Sequence, residues 1–222
     1  MDDEQRVQSQ VERAAASGAF QGGGTLFTEP VLVVNQKTKL IELTNEYSVF
    51  DAMGKQLGSV RQTGQTTLKK AARLLTSLDQ FLTHSLEIAD TTGAVQLTLT
   101  RPAKVFKSTI LVKRPDGAEV GRVMQENMVG KIRFGLEVEG KRVGSIHGEN
   151  WRAWNFAVTD ETGAEIARIT KTWEGLARTL FTTADHYVVQ FHKQLMNPLL
   201  SLVVASALSV DTALKQDKRG FN

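Results

Sequence analysis

The sequence contains no cysteine. This absence excludes disulfides, thiolate metal sites, cysteine nucleophiles and S-palmitoylation. No apolar run reaches the roughly 20 residues that a membrane-spanning helix needs. No charge of one sign dominates either, because the formal net charge is only +3, which is too small to indicate nucleic acid as a partner. The remaining composition, 41% hydrophobic and 23% charged, is typical of a soluble globular protein.

Motifs that carry catalysis are also missing. The chain has no Gly-x-Ser-x-Gly, no His-Glu-x-x-His, no Walker phosphate loop and no Rossmann glycine pattern. The nearest approach to a metal cluster is Asp185, His186 and His192, yet the two histidines would lie about 20 Å apart along an extended strand. We therefore expect no catalytic residue, no bound metal and no cofactor, and we predict that the protein is not an enzyme.

The N-terminal region predicts an arm outside the folded domain. Residues 1–24 are polar and rich in alanine, they end in three glycines, and the first residues contain no apolar signal segment. We expect a flexible arm over 1–24, a single domain over 25–218, and a cytoplasmic protein that also contacts membranes peripherally.

From Thr25 onward the sequence predicts repeated β-hairpins. An Asp-x-x-Gly turn between two short apolar strands occurs at Asp51–Gly54, Asp90–Gly93 and Asp160–Gly163, with related turns at Asp116-Gly117 and Glu139-Gly140. The second strand of most hairpins carries an apolar-small-x-apolar motif, as in Val120-Gly121-Arg122-Val123. Apolar residues three apart break the two-residue period of a strand, so this motif predicts a β-bulge that curves the sheet.

The stretch Asn197–Leu214 predicts a buried helix. Between Leu199 and Val210 no residue is charged and no polar side is present. Asn197 suits the N-cap and Pro198 the first helical position. The run is too short for a bilayer and Asp211 follows it, which favours a protein core over lipid. The predicted core residues are Leu199, Leu202, Val203, Val204, Leu208 and Val210.

Curved hairpins followed by an apolar helix predict a closed or nearly closed antiparallel barrel with that helix inside. One segment departs from the β pattern. Residues 67–82 place leucine and alanine on one face and Lys69, Lys70 and Arg73 away from it, which predicts an inserted amphipathic helix. Its apolar face either covers a barrel end or contacts a membrane.

These motifs, in this order, resemble the phospholipid scramblase and LURP-one-related proteins, relatives of the Tubby C-terminal domain. The resemblance is carried by Asp90-x-x-Gly93 leading to Arg101-Pro102, by Gly121-Arg-Val123, by Ile169-Thr-Lys-Thr-Trp173 and by Phe181 through Val189-x-Phe191 into the helix. It covers roughly Thr25 to Leu214. It implies a mainly β fold, a twelve-stranded barrel around a hydrophobic C-terminal helix.

The resemblance also implies an interaction with phospholipid or phosphoinositide. However, the acidic segment that scramblases carry before the helix, proposed to bind calcium, keeps only Asp185 here, whereas calcium prefers six to eight oxygen ligands. We therefore expect a lipid-interacting module at membrane surfaces without calcium-dependent scrambling. The alternative is a soluble protein-interaction or regulatory barrel with no lipid function.

Basic residues beside turns are the candidate ligands of an anionic lipid, since lysine and arginine bind phosphate by charge and geometry. A solvated edge strand protected from aggregation by lysines would look the same in sequence. The candidate partners are an anionic phospholipid or membrane surface and a protein. The predicted anion-binding residues are Arg101, Lys104, Lys107, Lys113 and Arg114, assisted by Lys69, Lys70 and Arg73.

Overall fold

A computed structural model describes residues 20–36, 46–63, 84–102, 109–126, 133–150, 155–170 and 186–217. In chain order the elements are β1 (Val31–Gln36), β2 (Glu46–Phe50), β3 (Gln56–Thr63), β4 (His84–Asp90), β5 (Val95–Arg101), β6 (Thr109–Lys113), β7 (Glu119–Gln125), β8 (Arg133–Val138), β9 (Lys141–Asn150), β10 (Asn155–Asp160), β11 (Glu165–Thr170), β12 (His186–Phe191) and α1 (Leu199–Asp217).

The twelve strands form one closed barrel. Every strand pairs antiparallel with its neighbours in the chain, and β1 pairs with both β2 and β12 to close the wall. The predicted fold class, a closed antiparallel barrel of about twelve strands with a C-terminal helix, is confirmed. The amphipathic helix predicted over 67–82 lies outside the described residues.

The connections alternate between the two ends of the barrel, because consecutive strands run in opposite directions. One end carries the short turns 51–55, 91–94, 114–118, 139–140 and 161–164 together with the connection 192–198 into α1, and we call it the tight-turn end. The other end, which we call the far end, holds the strand ends that flank residues 37–45, 64–83, 103–108, 127–132, 151–154 and 171–185. These six ranges themselves lie outside the described residues.

The predicted turns are present at the tight-turn end. In the turn at Asp90, the carboxylate Oδ1 accepts hydrogen bonds from the backbone N–H groups of Thr92 (2.9 Å) and Ala94 (3.1 Å). The turn at Asp160 repeats this pattern. Glu139 and Gly140 both have positive φ, 50° and 76°, which is the two-residue turn whose twist matches that of the flanking strands.

The predicted bulges are confirmed by the strand register. In four hairpins the second strand holds one extra residue, Leu57, Val120, Val143 or Ile166, just before the Gly or Ala of the repeated motif. The bulge lets two consecutive residues be buried and bends the wall into a barrel. At Gly58 a Cβ atom would lie 2.3 Å from the carbonyl oxygen of Ala89, so this close approach of β3 and β4 requires glycine.

Helix α1 lies inside the barrel. All nine residues from 201 to 209 are buried, and those from Leu202 to Leu208 are at most 2% exposed. Among the predicted core residues, Leu202, Val203, Val204 and Leu208 are fully buried and Leu199 packs against the core at its edge. The side chain of Val210 lies outside the described residues.

The helical serines do not give α1 a polar side. The Ser206 hydroxyl donates to the carbonyl oxygen of Leu202 (2.6 Å), and the Ser209 hydroxyl donates to that of Ser206 (3.1 Å). Both hydroxyls therefore satisfy their hydrogen bonds within the helix and can be buried among apolar side chains.

The start of α1 differs by one residue from the prediction. The helix begins at Leu199, so Pro198 occupies the N-cap, and its carbonyl oxygen accepts a bond from the N–H of Leu202 (3.1 Å). Asn197 accepts a bond from the Ser201 hydroxyl (2.6 Å) through its side-chain oxygen. Asn197 thus orders the approach to the helix through a side chain of the first turn.

The residues before β1 contact the tight-turn end. Leu26 is 2% exposed and belongs to the core, and Phe20 and Phe27 pack against it. Residues 1–19 of the predicted arm lie outside the described residues. The boundary between an arm over 1–24 and a domain over 25–218 stays a prediction.

Candidate functional site

The eight predicted anion-binding residues do not belong to one end of the barrel. Lys113 ends β6 and Arg114 begins the turn after it, both at the tight-turn end. Arg101 is the last residue of β5, at the far end. Lys104 and Lys107 fall in the connection between β5 and β6, and Lys69, Lys70 and Arg73 in the one between β3 and β4. These five residues lie outside the described residues, and both connections start and finish at the far end.

Arg101 is not on the surface, which corrects the expectation of a surface ligand. It is 8% exposed and continues the inward-facing series of Leu97 and Leu99. Successive side chains of a strand point to opposite faces, so residues 97, 99 and 101 share the inner face. Arg101 therefore does not lie on the outer surface, where a headgroup would bind.

Arg114 lies beside an acid. Its side chain is 59% exposed, and its Nε lies 3.8 Å from Oδ2 of Asp116 in the same turn. Lys113, half-buried, sits across from Glu119 in the β6 and β7 register. Each of these two basic residues has a carboxylate residue nearby, so the turn carries little net positive charge.

A surface groove of about 550 Å³ opens at the tight-turn end between β7 and β8. The strands pair only from Arg122 opposite Glu137 onward, so their ends at the tight-turn end stand apart. Of the predicted basic residues that the structure describes, Arg101, Lys113 and Arg114, none lines the groove. The acidic residues of the groove were missed because they are separated in sequence and joined only by the pairing of the two strands. The lining residues are Glu119, Val120, Gly121, Arg122, Glu137, Val138, Glu139 and Gly140.

Arg122 is held by the acids of this groove. Its Nε donates to Glu119 Oε1 at 2.8 Å and an Nη atom lies 3.4 Å from Oε2. The hydrogen bond that Arg122 donates to Glu119, the charge of Glu119 and then that of Glu137 raise the pKa of Arg122 above its usual value. Because three glutamates and one arginine line the groove, it is unsuited to an anionic headgroup.

A chain of hydrogen bonds on the outer wall joins a serine, a histidine and a threonine. Ser145 Oγ lies 2.9 Å from His147 Nε2 and 2.9 Å from Thr159 Oγ1. Nucleophilic catalysis by such a pair needs a group that orients the histidine and donors that stabilise an oxyanion. Among the described residues no carboxylate is hydrogen-bonded to His147. The arrangement therefore links β9 to β10 without the other parts of a hydrolase site.

Metal-binding side chains are not grouped in the described part of the chain. No three His, Asp or Glu residues there lie close enough together to hold a metal ion. His192 of the predicted cluster is near Glu165, with 3.8 Å between Nδ1 and Oε1. Asp185 and the side chain of His186 lie outside the described residues.

Asp160 has a structural role at the tight-turn end. Its carboxylate accepts hydrogen bonds from the Thr162 hydroxyl (2.6 Å) and from Lys193 Nζ (2.9 Å), which lowers its pKa from 3.8 to about 2. Hydrogen bonds from Thr92 likewise lower the pKa of Asp90. Both groups therefore stay ionised at neutral pH, and the Lys193 contact ties the turn after β10 to the connection that enters α1.

In the described ranges no helix is long and apolar enough to cross a bilayer.

The family model described as Scramblase matches residues 19–214, nearly the whole chain. The chain belongs to the Scramblase family. The resemblance found from the hairpin turns and the apolar helix is thereby confirmed.

Two fungal relatives of this Scramblase-family chain were found. Altered inheritance rate of mitochondria protein 25 from Saccharomyces cerevisiae is 25% identical over 202 residues, covering 77% of this chain and 61% of the relative. A phospholipid scramblase family protein from Schizosaccharomyces pombe is 24% identical over 185 residues, covering 75% of this chain and 47% of the relative. The chain thus spans about half to three-fifths of the length of these relatives.

One solved structure is similar in outline. It is an X-ray structure of a protein from Arabidopsis thaliana, 12% identical, with a TM-score of 0.49. The match covers 86% of this chain and 99% of that one.

Proposed function

We propose that this protein is a non-enzymatic module that binds phospholipid at the membrane surface. The proposal is supported by the family of the chain, Scramblase, and by a barrel whose interior is filled by the protein's own helix. Helix α1 fills the described part of the interior with side chains that are almost wholly buried, such as Val203 and Leu208. An acyl chain would have to displace the protein's own core. The protein therefore binds the headgroup of the lipid with the outer surface of the barrel.

An anionic headgroup fits the charge of the chain better than a neutral one. Lysine and arginine exceed aspartate and glutamate by three. Near an anionic leaflet each basic residue contributes about 1 kcal/mol of binding, and the attraction falls off within a Debye length, about 8 Å at physiological salt. The proposed binding is therefore peripheral and reversible, and a cytoplasmic protein would be recruited only to membranes with enough anionic lipid.

Binding is expected to rise with the anionic fraction of the membrane. The test is co-sedimentation with phosphatidylcholine vesicles that contain increasing fractions of phosphatidylserine or a phosphoinositide, at low and high salt. We expect no sedimentation with pure phosphatidylcholine, increasing sedimentation with anionic content, and loss of binding at high salt. If the protein stayed in the supernatant at every composition, the alternative of a protein-interaction or regulatory barrel without lipid function would be favoured.

Calcium is expected to have no effect on this binding or on stability. Calcium sites are built from six to eight oxygens, several of them from carboxylates, and in the segment Asp185–Leu195, just before the helix, Asp185 is the one acidic residue. Thermal unfolding and vesicle co-sedimentation should be the same with millimolar calcium and with a chelator. A clear rise in the melting temperature with calcium, and not with magnesium at equal concentration, would contradict this expectation.

A further inference from the structure

We propose that the groove between β7 and β8 docks a short basic segment of a protein partner, with a lysine or arginine side chain seated between its glutamates. This inference goes beyond the proposed lipid binding and does not rest on it. The groove is lined by residues 119–122 of β7 and by residues 137–140 of β8 and the turn after it.

A bulge accounts for the opening between the two strands. In its pairing with β6, β7 holds Val120 as an extra residue, and its pairing with β8 stops at Arg122 opposite Glu137. A bulge bends its strand, so residues 119–121 diverge from residues 138–140. The resulting volume of about 550 Å³ lies in the range of ligand pockets, roughly 300–1,000 Å³, and is large enough for a long side chain.

The base of the groove is apolar and its rim is acidic. Val120 is 7% exposed, and Val138 packs against the core. Beneath Gly121 lies the core helix, since a Cβ atom there would be 3.1 Å from Leu202 Cδ1. Lysine and arginine have an apolar stem and a charged head, so the stem can cover this base while the head reaches the carboxylates. A bare metal ion would leave the apolar base uncovered.

Two glutamates of the groove are available for a cation from outside. Within the described ranges the side chains of Glu137 and Glu139 make no hydrogen bond or ion pair, whereas Arg122 is bonded to Glu119. Arg142 lies opposite Glu137 in the register of β8 and β9, but its guanidinium is 2.7 Å from a carboxylate oxygen of Glu126. The charge of the groove therefore favours a basic partner and disfavours an acidic one.

Two labelled peptides test the chemistry of the partner. The probe is fluorescein-labelled Gly-Val-Lys-Lys-Val-Gly, and its control carries glutamine in place of both lysines. Fluorescence anisotropy at low salt should show saturable binding of the lysine peptide and much weaker binding of the glutamine peptide. Added salt should weaken the binding of the lysine peptide, because it screens exposed charges.

Two matched double variants test the place. Glu137→Gln with Glu139→Gln removes two charges from the groove, and Glu87→Gln with Glu161→Gln removes two from β4 and from the turn after β10. The change in net charge is identical. Exposed ion pairs contribute modestly, so we expect about three- to tenfold weaker binding of the lysine peptide by the 137/139 variant. The 87/161 variant should change it by less than about twofold, because charges more than a Debye length away are screened.

Several outcomes would overturn the proposal. They are no binding of the lysine peptide up to millimolar concentration, equal binding of the glutamine peptide, equal losses for the two double variants, and displacement of the peptide by phosphatidylcholine vesicles, which would assign the groove to a membrane. If the 137/139 variant melted below the wild type, Glu139→Gln alone would replace it, with about two- to threefold weaker binding expected. Vesicle co-sedimentation of the 137/139 variant should match the wild type, so this proposal and the proposed lipid binding can fail separately.

Discussion

Replacing Val204 with aspartate is expected to unfold the whole barrel. Val204 is 0% exposed, and the residues around the helix at this level, Val203, Ala205 and Leu208, are at most 1% exposed. No side of α1 between residues 201 and 209 faces water, so the helix cannot rotate to expose the new carboxylate. An unpaired buried charge costs several kcal/mol even after relaxation, whereas a domain of this kind has about 5–15 kcal/mol of net stability.

The measurement is thermal and urea unfolding of Val204→Asp beside two controls. Val204→Ala separates lost packing from buried charge and should leave a folded protein with a lower melting temperature. Met196→Asp places the same carboxylate on the segment that leads into α1, at a residue that is 83% exposed, and should unfold like the wild type. A Val204→Asp protein that melts cooperatively near the wild-type temperature would show that this face of the helix is not in a dry core.

Deleting every residue after Leu195 is expected to abolish folding. The deletion removes α1 and leaves inward-facing residues such as Leu99, Val112 and Ile146 around an empty interior. Each large apolar side chain that loses its cover forfeits roughly 1.5–3 kcal/mol of burial free energy, so the loss from several of them exceeds the net stability of a domain. We expect insoluble protein, or soluble protein without a cooperative transition.

The same deletion distinguishes a core helix from a membrane anchor. An anchor can be removed to release a folded, soluble barrel, and the intact protein would then need detergent. The matched control removes only residues 218–222, which follow the end of α1 at Asp217, and should keep the wild-type melting curve. Both truncations should be expressed without detergent and followed by circular dichroism. A soluble residue 1–195 fragment that melts cooperatively would refute the buried-helix interpretation.

Local chemistry made much of the barrel predictable. The Asp-x-x-Gly turns depend on bonds between residues at most four apart, such as Asp90 with Ala94, and on the positive φ of glycine at 54, 93 and 163. The bulges follow from a three-residue spacing of apolar side chains within one strand, as at Leu57 and Val60. Burial of α1 follows from a helix with no polar side, because such a surface has to be removed from water.

The candidate site was less predictable, and Arg101 shows why. Proximity in sequence grouped it with Lys113 and Arg114, although the alternation with Leu97 and Leu99 already indicated an inward side chain. The alternation shows that Arg101 shares a face with Leu97 and Leu99, but it assigns that face to the interior only once the barrel is known. The groove between β7 and β8 gave no signal in the sequence, because Glu119 and Glu137 meet only through pairing of strands from different hairpins.

The local elements of this protein, namely its turns, its bulges and a helix that must be buried, follow from the order of its amino acids. Which of the described charges share a surface depends on how the strands pair. Thr109 and Lys113 are four residues apart, yet they are the first and last residues of β6 and lie at opposite ends of the barrel. Hydrogen bonds and hydrophobic periodicity act over a few residues, whereas the pairing of twelve strands acts over the whole chain, and that pairing decides which strand ends lie together at one end of the barrel.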